Sequence, residues 1–488
     1  MSERIMAEAT QQTFDTIIGL EVHLQLNTKT KIFCGCANRF GEEPNSLTCP
    51  VCLGLPGTLP VLNQTALEYA IKVALALNCQ INTFVKFDRK NYYYPDLPKG
   101  YQISQYDKPL ANHGHLIIPT ANGPKRINIK RSHLEEDAGK LIHDDKLNCS
   151  LVDYNRTGTP LLEIVTEPDL HSPQEAHDYL TILKLTLQYL NVSDCDMEKG
   201  SLRCDANVSI RPQGETKLGA KTELKNMNSF RAVKAALEFE VNRQRRLILT
   251  GERIVQETRL WDEEKNITVS MRSKEEAHDY RYFPEPDLVP LTIDSKIIEK
   301  IRLTLPELPD KKLNRFMEQY GLSQYDAHIL IQEQDIANFF ERCTEGIEDV
   351  PVKKIANWII GPMREEISAN KKKIEYISIR EFLMLIRNVE EGKLSNLAAK
   401  DVLSVMVSSG ENIEKIIAEK GLAQIMDETI LEKIVVSVLA ENPKVVEQIQ
   451  QGKESATGFL VGQAMRKSQG KGNPKKFGEI IKRRLQHG

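Results

Sequence analysis

Arg203-Cys204-Asp205-Ala206-Asn207-Val208-Ser209-Ile210-Arg211 alternates without a break. Cys204, Ala206, Val208 and Ile210 fall on one side, and Arg203, Asp205, Asn207 and Ser209 on the other. Successive strand side chains point to opposite faces, so this period of two predicts a strand with one buried and one polar face. Residues 16–26 repeat the pattern, with Leu20, Val22, Leu24 and Leu26 opposed to Glu21, His23 and Gln25. Lys221, Glu223 and Lys225 share a face, and Ile127 and Ile129 open a further strand leading into His133-Leu134-Glu135-Glu136. Several such strands argue for an antiparallel sheet covered on one side and open on the other.

Helices interrupt these strands. Ser172-Pro173 supplies a cap and a first-turn proline, and Asn228 or Ser229 opens a helix that carries Val233, Leu237 and Val241. After Pro290 alternation gives way to helical periodicity, and Leu305-Pro306-Glu307-Leu308-Pro309 reads as a linker. Asn442-Pro443, Ser455 and Asn473-Pro474 mark starts of the last helices. The expected fold class is α+β: a cradle on an antiparallel sheet over residues 1–294, a helical domain over 295–419 and a small helical tail over 420–488.

Composition excludes several classes of function. There are 65 Lys+Arg against 68 Asp+Glu, a net charge of −3, so the whole chain is no nucleic-acid coat. The charge is uneven: residues 453–488 hold nine Lys/Arg and two Glu. A basic tail on an acidic body points to one nucleic-acid contact surface. No apolar run approaches the ~18 residues a membrane span needs. The first fifteen residues lack an apolar segment and carry two Glu and an Asp, so no secretory or transit leader is expected.

Four of nine cysteines, Cys34, Cys36, Cys49 and Cys52, lie within 19 residues. Two short-spaced pairs let four thiolates converge on a structural zinc, as expected in a reducing cytoplasm. The alternative is four unligated thiols in a loop. On the predicted polar faces stand Glu21, His23, Asp205 and Glu223, with Glu135, Glu136 and Glu163 nearby. Clustered carboxylates repel unless a cation intervenes, and this donor set suits Mg²⁺; the alternative is a solvated sheet face. No P-loop and no nucleophile elbow occurs. Lys90-Asn91-Tyr92-Tyr93-Tyr94-Pro95 continues through Lys99-Gly100-Tyr101; this loop could stack a base and hold phosphates, or be a Pro-rich turn.

Several of these segments resemble one family. Val152-Asp153-Tyr154-Asn155-Arg156-Thr157-Gly158-Thr159-Pro160-Leu161-Leu162-Glu163 is similar to the signature of the B subunit of glutamyl/aspartyl-tRNA amidotransferases. So are Gly19-Leu20-Glu21-Val22-His23, the Lys90 loop, Leu202-Arg203-Cys204-Asp205-Ala206-Asn207, Lys221-Thr222-Glu223-Leu224-Lys225-Asn226 and Tyr280-Arg281-Tyr282-Phe283-Pro284-Glu285. Val461-Gly462-Gln463-Ala464-Met465-Arg466-Lys467 and Gly470-Lys471-Gly472-Asn473-Pro474 resemble its YqeY-like tail. The resemblance implies a carbon–nitrogen ligase that amidates the side chain of misacylated Glu-tRNA(Gln) or Asp-tRNA(Asn), consuming ATP through an acyl phosphate. Ammonia would come from a glutaminase A subunit, with a small C subunit completing a heterotrimer in a bacterial cytoplasm. An organellar protein is the alternative.

The resemblance also implies roles. Glu21, His23, Glu163, Asp205 and Glu223 become catalytic and Mg²⁺-site candidates, with Glu136 as a further ligand that Glu135 could replace. Lys90, Tyr92 and Lys99 become ATP candidates. Asn155 and Arg156 either bind substrate or flank a turn set by Gly158 and Pro160. In the tail, Lys475 and Lys476 fall in a first helical turn, where cations oppose the helix dipole by about 0.3–1 kcal/mol each. With Arg466, Lys467 and Lys471 they are the tRNA-contact candidates. Two other readings compete: a zinc-stabilised RNA scaffold without catalysis, and a metal-dependent phosphohydrolase.

Overall fold

The computed structural model describes residues 13–486 except 145, 147, 274–278, 346–348, 426 and 451–455. Ser455, read as a helix start, lies outside the described residues. The chain forms two compact units, residues 1–309 and 310–488.

In the first unit the strands run β1 (Phe14–Gln25), β2 (Gln80–Ile81), β3 (Phe84–Val85), β4 (Asp88–Asn91), β5 (Tyr101–Ser104), β6 (Ala111–Thr120), β7 (Gly123–Glu136), β8 (Lys140–Asp144), β9 (Cys149–Asp153) and β10 (Pro160–Thr166). There follow β11 (Leu202–Pro212), β12 (Thr222–Lys225), β13 (Glu257–Asp262), β14 (Ile267–Ser273), β15 (Phe283–Pro284) and β16 (Leu291–Thr292). Four helices accompany them: α1 (Gln64–Ala76), α2 (Pro173–Tyr189), α3 (Phe230–Leu249) and α4 (Ser295–Arg302). Nine strands make one sheet, in the order β14-β13-β12-β11-β1-β10-β7-β6-β2. Its pairings are antiparallel except β12 with β13.

The alternation read from the sequence is the alternation of this sheet. Leu20, Val22 and Leu24 of β1 and Ala206, Val208 and Ile210 of β11 are buried in the core. Packing on the apolar face sets α2 against β6 and α3 against β11. Both helices start where their caps dictate: Ser172 Oγ accepts from Glu175 N–H and Ser229 Oγ from Ala232 N–H. Ile301 of α4 is buried in this first core, and Leu305 and Leu308 pack against it.

The second unit is helical. Towards its end, helices Glu428–Glu441, Thr457–Lys467 and Pro474–Gln486 enclose a core of Leu431, Val435, Val438, Leu460, Ala464, Phe477, Ile480 and Ile481. Among the described residues no helix is long and apolar enough to cross a membrane. Gly472 is where the Phe477 ring closes over the backbone: a Cβ there would meet ring carbons at 2.0 and 2.3 Å. Gly472→Ala should therefore destabilise this unit by about 1–3 kcal/mol through overpacking. The check is its urea midpoint in the full chain, which should fall.

Candidate active site and metal centres

Strand register assembles the polar face. On β1, His23 pairs with Glu163 of β10 on one side and Arg203 of β11 on the other, while Glu163 in turn pairs with His133 of β7. Four polar residues thus cross four strands in one row. Glu135, two residues beyond His133, leans into the same spot. His23 Nε2 lies 3.5 Å from Glu163 and 4.0 Å from Glu135. His133 Nε2 lies 3.4 Å from Glu163 and 3.7 Å from Glu135. One ligand atom each from His23, Glu135 and Glu163 fits within a 4.8 Å span, so these residues could hold a metal ion.

Two buried carboxylates side by side would repel, and the neighbours decide their state. Burial opposes charge on Glu163, but His133 and His23 outweigh it and hold the carboxyl well below the usual range. Glu135 is lowered too: burial pushes it up, and the neighbouring His133 imidazole, with Lys90 beyond, pulls it down. His23 shows the reciprocal effect, since burial lowers its pKa but Glu163 and Glu135 raise it overall. Lys90, on β4, faces the same carboxylates and stays charged despite burial because of Glu135. Its Nζ lies over the rings of Tyr280, at 5.0 Å, and Tyr92, at 5.8 Å. Tyr282 stacks on Tyr106 at 4.2 Å beside them.

The other sequence candidates divide. Glu21 pairs with Asp205 in register and accepts from Asn207 Nδ2 at 2.9 Å. Asp205 is bonded to Lys225, which also lies 3.4 Å from Glu223. Glu21, Asp205 and Glu223 therefore continue the same face beside the His23 cluster. Glu136 does not: one residue past Glu135, it points to the other side of β7, where it pairs with Lys99 and accepts from Ile103 N–H at 2.9 Å. Glu135 takes the place expected for Glu136, and Lys99 is committed to Glu136 rather than open to a nucleotide.

A cleft of about 810 Å³ adjoins this face, lined among others by Gln25, Lys140, Arg156, Arg203 and Asp205. Asn155 and Arg156 line it but are engaged locally, Asn155 with the backbone and Arg156 with the backbone and Asp137 at 3.7 Å. Asn155 Oδ1 accepts from Leu47 N–H at 2.8 Å and its Nδ2 donates to Glu43 O at 2.6 Å. Arg156 Nε donates to Ala138 O at 2.9 Å. Both side chains thus help hold the turn at the cleft's edge. Sequence reading missed His133, Tyr280 and Tyr282; His133 was visible only as the alternate residue before Glu135.

The four cysteines of the knuckle converge, their sulfurs all within 4.8 Å of one another. The hydrogen bond from Cys34, with help from the Cys49 backbone and Lys31, draws Cys52 down to about 5. Burial pushes Cys36 up to about 11. Such a set suits a soft dication, which would ionise all four thiols. In the tail, Asn473 Oδ1 caps Pro474–Gln486 by accepting from Lys475 and Lys476 N–H at 2.9 and 3.3 Å. Arg466, Lys471 and Lys475 are exposed. Lys467 is bonded to Glu441 and Ser437.

The knuckle geometry predicts about one equivalent of a thiophilic divalent metal per purified chain, measured by elemental analysis. Cys49→Ser should lower that content and the midpoint of thermal unfolding together.

The sequence model of the GatB/GatE catalytic domain matches residues 16–299, and that of the GatB domain matches residues 338–485. A protein of Carboxydothermus hydrogenoformans is 54% identical over 477 residues, 97% of this chain and 99% of its own. One from Caldanaerobacter subterraneus is 52% identical over 474 residues, 97% of this chain and 99% of its own. One from Thermodesulfovibrio yellowstonii is 52% identical over 470 residues, 96% of this chain and 98% of its own. All three are named as the B subunit of an aspartyl/glutamyl-tRNA(Asn/Gln) amidotransferase. The chain belongs to the GatB family, B subunits of tRNA-dependent amidotransferases, carbon–nitrogen ligases of protein biosynthesis.

Proposed function

We propose that this chain carries out the ATP-dependent half of the amidation: it activates the side-chain carboxylate of Glu-tRNA(Gln), Asp-tRNA(Asn) or both. The observation that carries the reading is the convergence of His23, Glu135 and Glu163 on one face of the sheet, beside Lys90. One imidazole and two carboxylates in reach of one point are a donor set for Mg²⁺. When bound, the ion supplies charge neutralisation for phosphoryl transfer.

The remaining steps belong to the chain and its substrates. A free carboxylate is a poor electrophile. Its oxygen takes the γ-phosphoryl group of ATP and ADP leaves, giving an acyl phosphate. Ammonia then attacks the carbonyl carbon and inorganic phosphate leaves, giving the amide. Lys90, kept cationic by Glu135, is placed to meet phosphate oxygens, and Tyr92 belongs to the aromatic wall around it. Arg203 lines the cleft and is held by the buried Asp137 through a 2.9 Å hydrogen bond, so it braces the border of the polar face. Glu21, Asp205 and Glu223 are the supporting acidic groups beside the metal ligands. In this reading the knuckle metal is a structural zinc, and Asn155 and Arg156 hold the loops around the site.

The chain lacks a recognisable glutaminase nucleophile, so the reading assigns ammonia supply to an A subunit, with a small C subunit completing a heterotrimer. The working compartment is the bacterial cytoplasm. Labour divides among a catalytic cradle over residues 1–294, a helical domain over 295–419 and a tRNA-binding tail over 420–488, although residues 295–309 pack with the first unit.

In the assembled complex, with Mg²⁺, ATP, ammonium chloride and Glu-tRNA(Gln), Glu163→Gln should bind tRNA normally. It should form Gln-tRNA(Gln) at least ~10²-fold more slowly, with matching loss of tRNA-stimulated ATP turnover. Normal turnover by this variant would overturn the reading. In the tail, replacing Arg466, Lys471, Lys475 and Lys476 by Ala should weaken tRNA binding. It should also flatten the slope of log K against log salt by about 0.7–0.9 per lost phosphate contact. Lys467→Ala should contribute least, because that ammonium is shared with Glu441.

A further inference from the structure

Lys31 stands next to the cysteine knuckle, and its side chain is 0% exposed. Its Nζ donates to Leu47 O at 2.7 Å and Tyr154 O at 3.4 Å, and lies 3.8 Å from Cys52 Sγ. Lysine is almost never fully buried unless it is paired. The two carbonyls satisfy donors but carry no net charge. Among the described residues Lys31 has no carboxylate ion pair within 4.0 Å. An ammonium taken out of water with no anionic neighbour is heavily penalised. Of the three groups its ammonium touches, only the Cys52 sulfur can carry negative charge, and through it the rest of the knuckle. Four thiolates around a dication carry a net charge of about −2, and one lysine halves it.

The contacts of Lys31 also run in three directions at once. Leu47 lies inside the knuckle loop between the two cysteine pairs, Tyr154 in the segment that holds that loop through Asn155, and Cys52 is a prospective metal ligand. The packing is close: a Cβ at Gly158, where φ is +80°, would lie 3.6 Å from the Lys31 chain and 3.6 Å from Cys52.

We propose that Lys31 is the charge partner of the metal–thiolate knuckle, a positioning residue whose ammonium offsets the negative tetrathiolate site and ties it to the 153–156 turn. This rests on the metal reading of the knuckle given above. The consequence is a linkage. With metal bound, Lys31 stabilises the fold. Without metal there is no tetrathiolate site to offset, and the ammonium contributes less. Removing the charge must then cost more in the loaded state than in the stripped one.

The test uses the full-length chain, zinc-loaded and after stripping by a chelator under reducing conditions. Lys31→Met keeps length and removes charge; Lys31→Gln keeps donors for the two carbonyls and also removes charge. Both variants should hold zinc about 10–100-fold more weakly than wild type in competition with a chromophoric chelator, the usual cost of losing a group that supports metal ligands. Lys31→Met should lower the melting temperature of the loaded chain more than that of the stripped chain. Unchanged zinc affinity in Lys31→Gln would mean that only the hydrogen bonds matter, and would overturn the proposal. So would a melting shift of the same sign and size in loaded and stripped chains. If Lys31→Met does not accumulate as folded protein, Lys31→Gln carries the same comparison. A purified wild-type chain that takes up no zinc would overturn the metal reading and this inference together, whereas wild-type uptake with unaffected variants would overturn this inference alone.

Discussion

Two carboxylates buried against each other, Glu135 and Glu163, set the terms for the centre of this molecule. Such a pair persists only where positive charge is brought to it. Lys90 and Arg131 bring it, an Arg131 nitrogen lying 3.9 Å from Glu163, and the imidazoles of His23 and His133 close in at 3.5 and 3.4 Å. The surrounding architecture can be read as the means of holding those groups in register. β1, β10 and β7 are neighbours in the sheet, and their pairing fixes His23 opposite Glu163 and Glu163 opposite His133. A slip of one residue on β10 would turn Glu163 into the core and bring an apolar side chain to the site.

The two faces of the sheet have separate duties. One is sealed by α2 and α3 over Leu20, Val22, Val208 and Ile210, which gives the strands a rigid base. The other gathers charge and opens to the cleft. Loops finish the site from outside. The 153–156 segment grips the cysteine knuckle through Asn155, and Arg89 reaches Glu285 with two hydrogen bonds of 2.7 and 2.9 Å. That second clamp brings Tyr280 and Tyr282 to Lys90. Residues far apart in sequence thereby come together around Lys90.

The fold class was legible because its strands alternate so regularly. Residues 203–211 announced both the core side and the polar side of β11, and Ser172 and Ser229 announced their helices by capping chemistry. What the sequence could not supply was strand order and register. The Glu135-Glu136 pair shows why. Alternation says that the two carboxylates face opposite ways, but only the seating of β7 against β10 says which one meets His23. His133 was overlooked for the same reason, since its partner Glu163 lies thirty positions on and becomes its neighbour only through that pairing. Lys99 was read as a phosphate ligand because it sits in a basic aromatic loop; a buried Glu136 claims it instead. The Tyr280–Tyr282 segment matched the family signature without suggesting a task, which appears only once β15 pairs with β4.

The central claim is that His23, Glu135 and Glu163 form one divalent-cation site on the sheet. Electron spin-echo spectroscopy of the chain with Mn²⁺, in competition with Mg²⁺, addresses it directly. The account predicts a tight Mn²⁺ site that Mg²⁺ displaces, with coupling to one directly bound histidine nitrogen. That coupling should vanish in His23→Gln, and the tight site should vanish in Glu163→Gln. Mn²⁺ bound without nitrogen coupling, or bound equally well by Glu163→Gln, would contradict it.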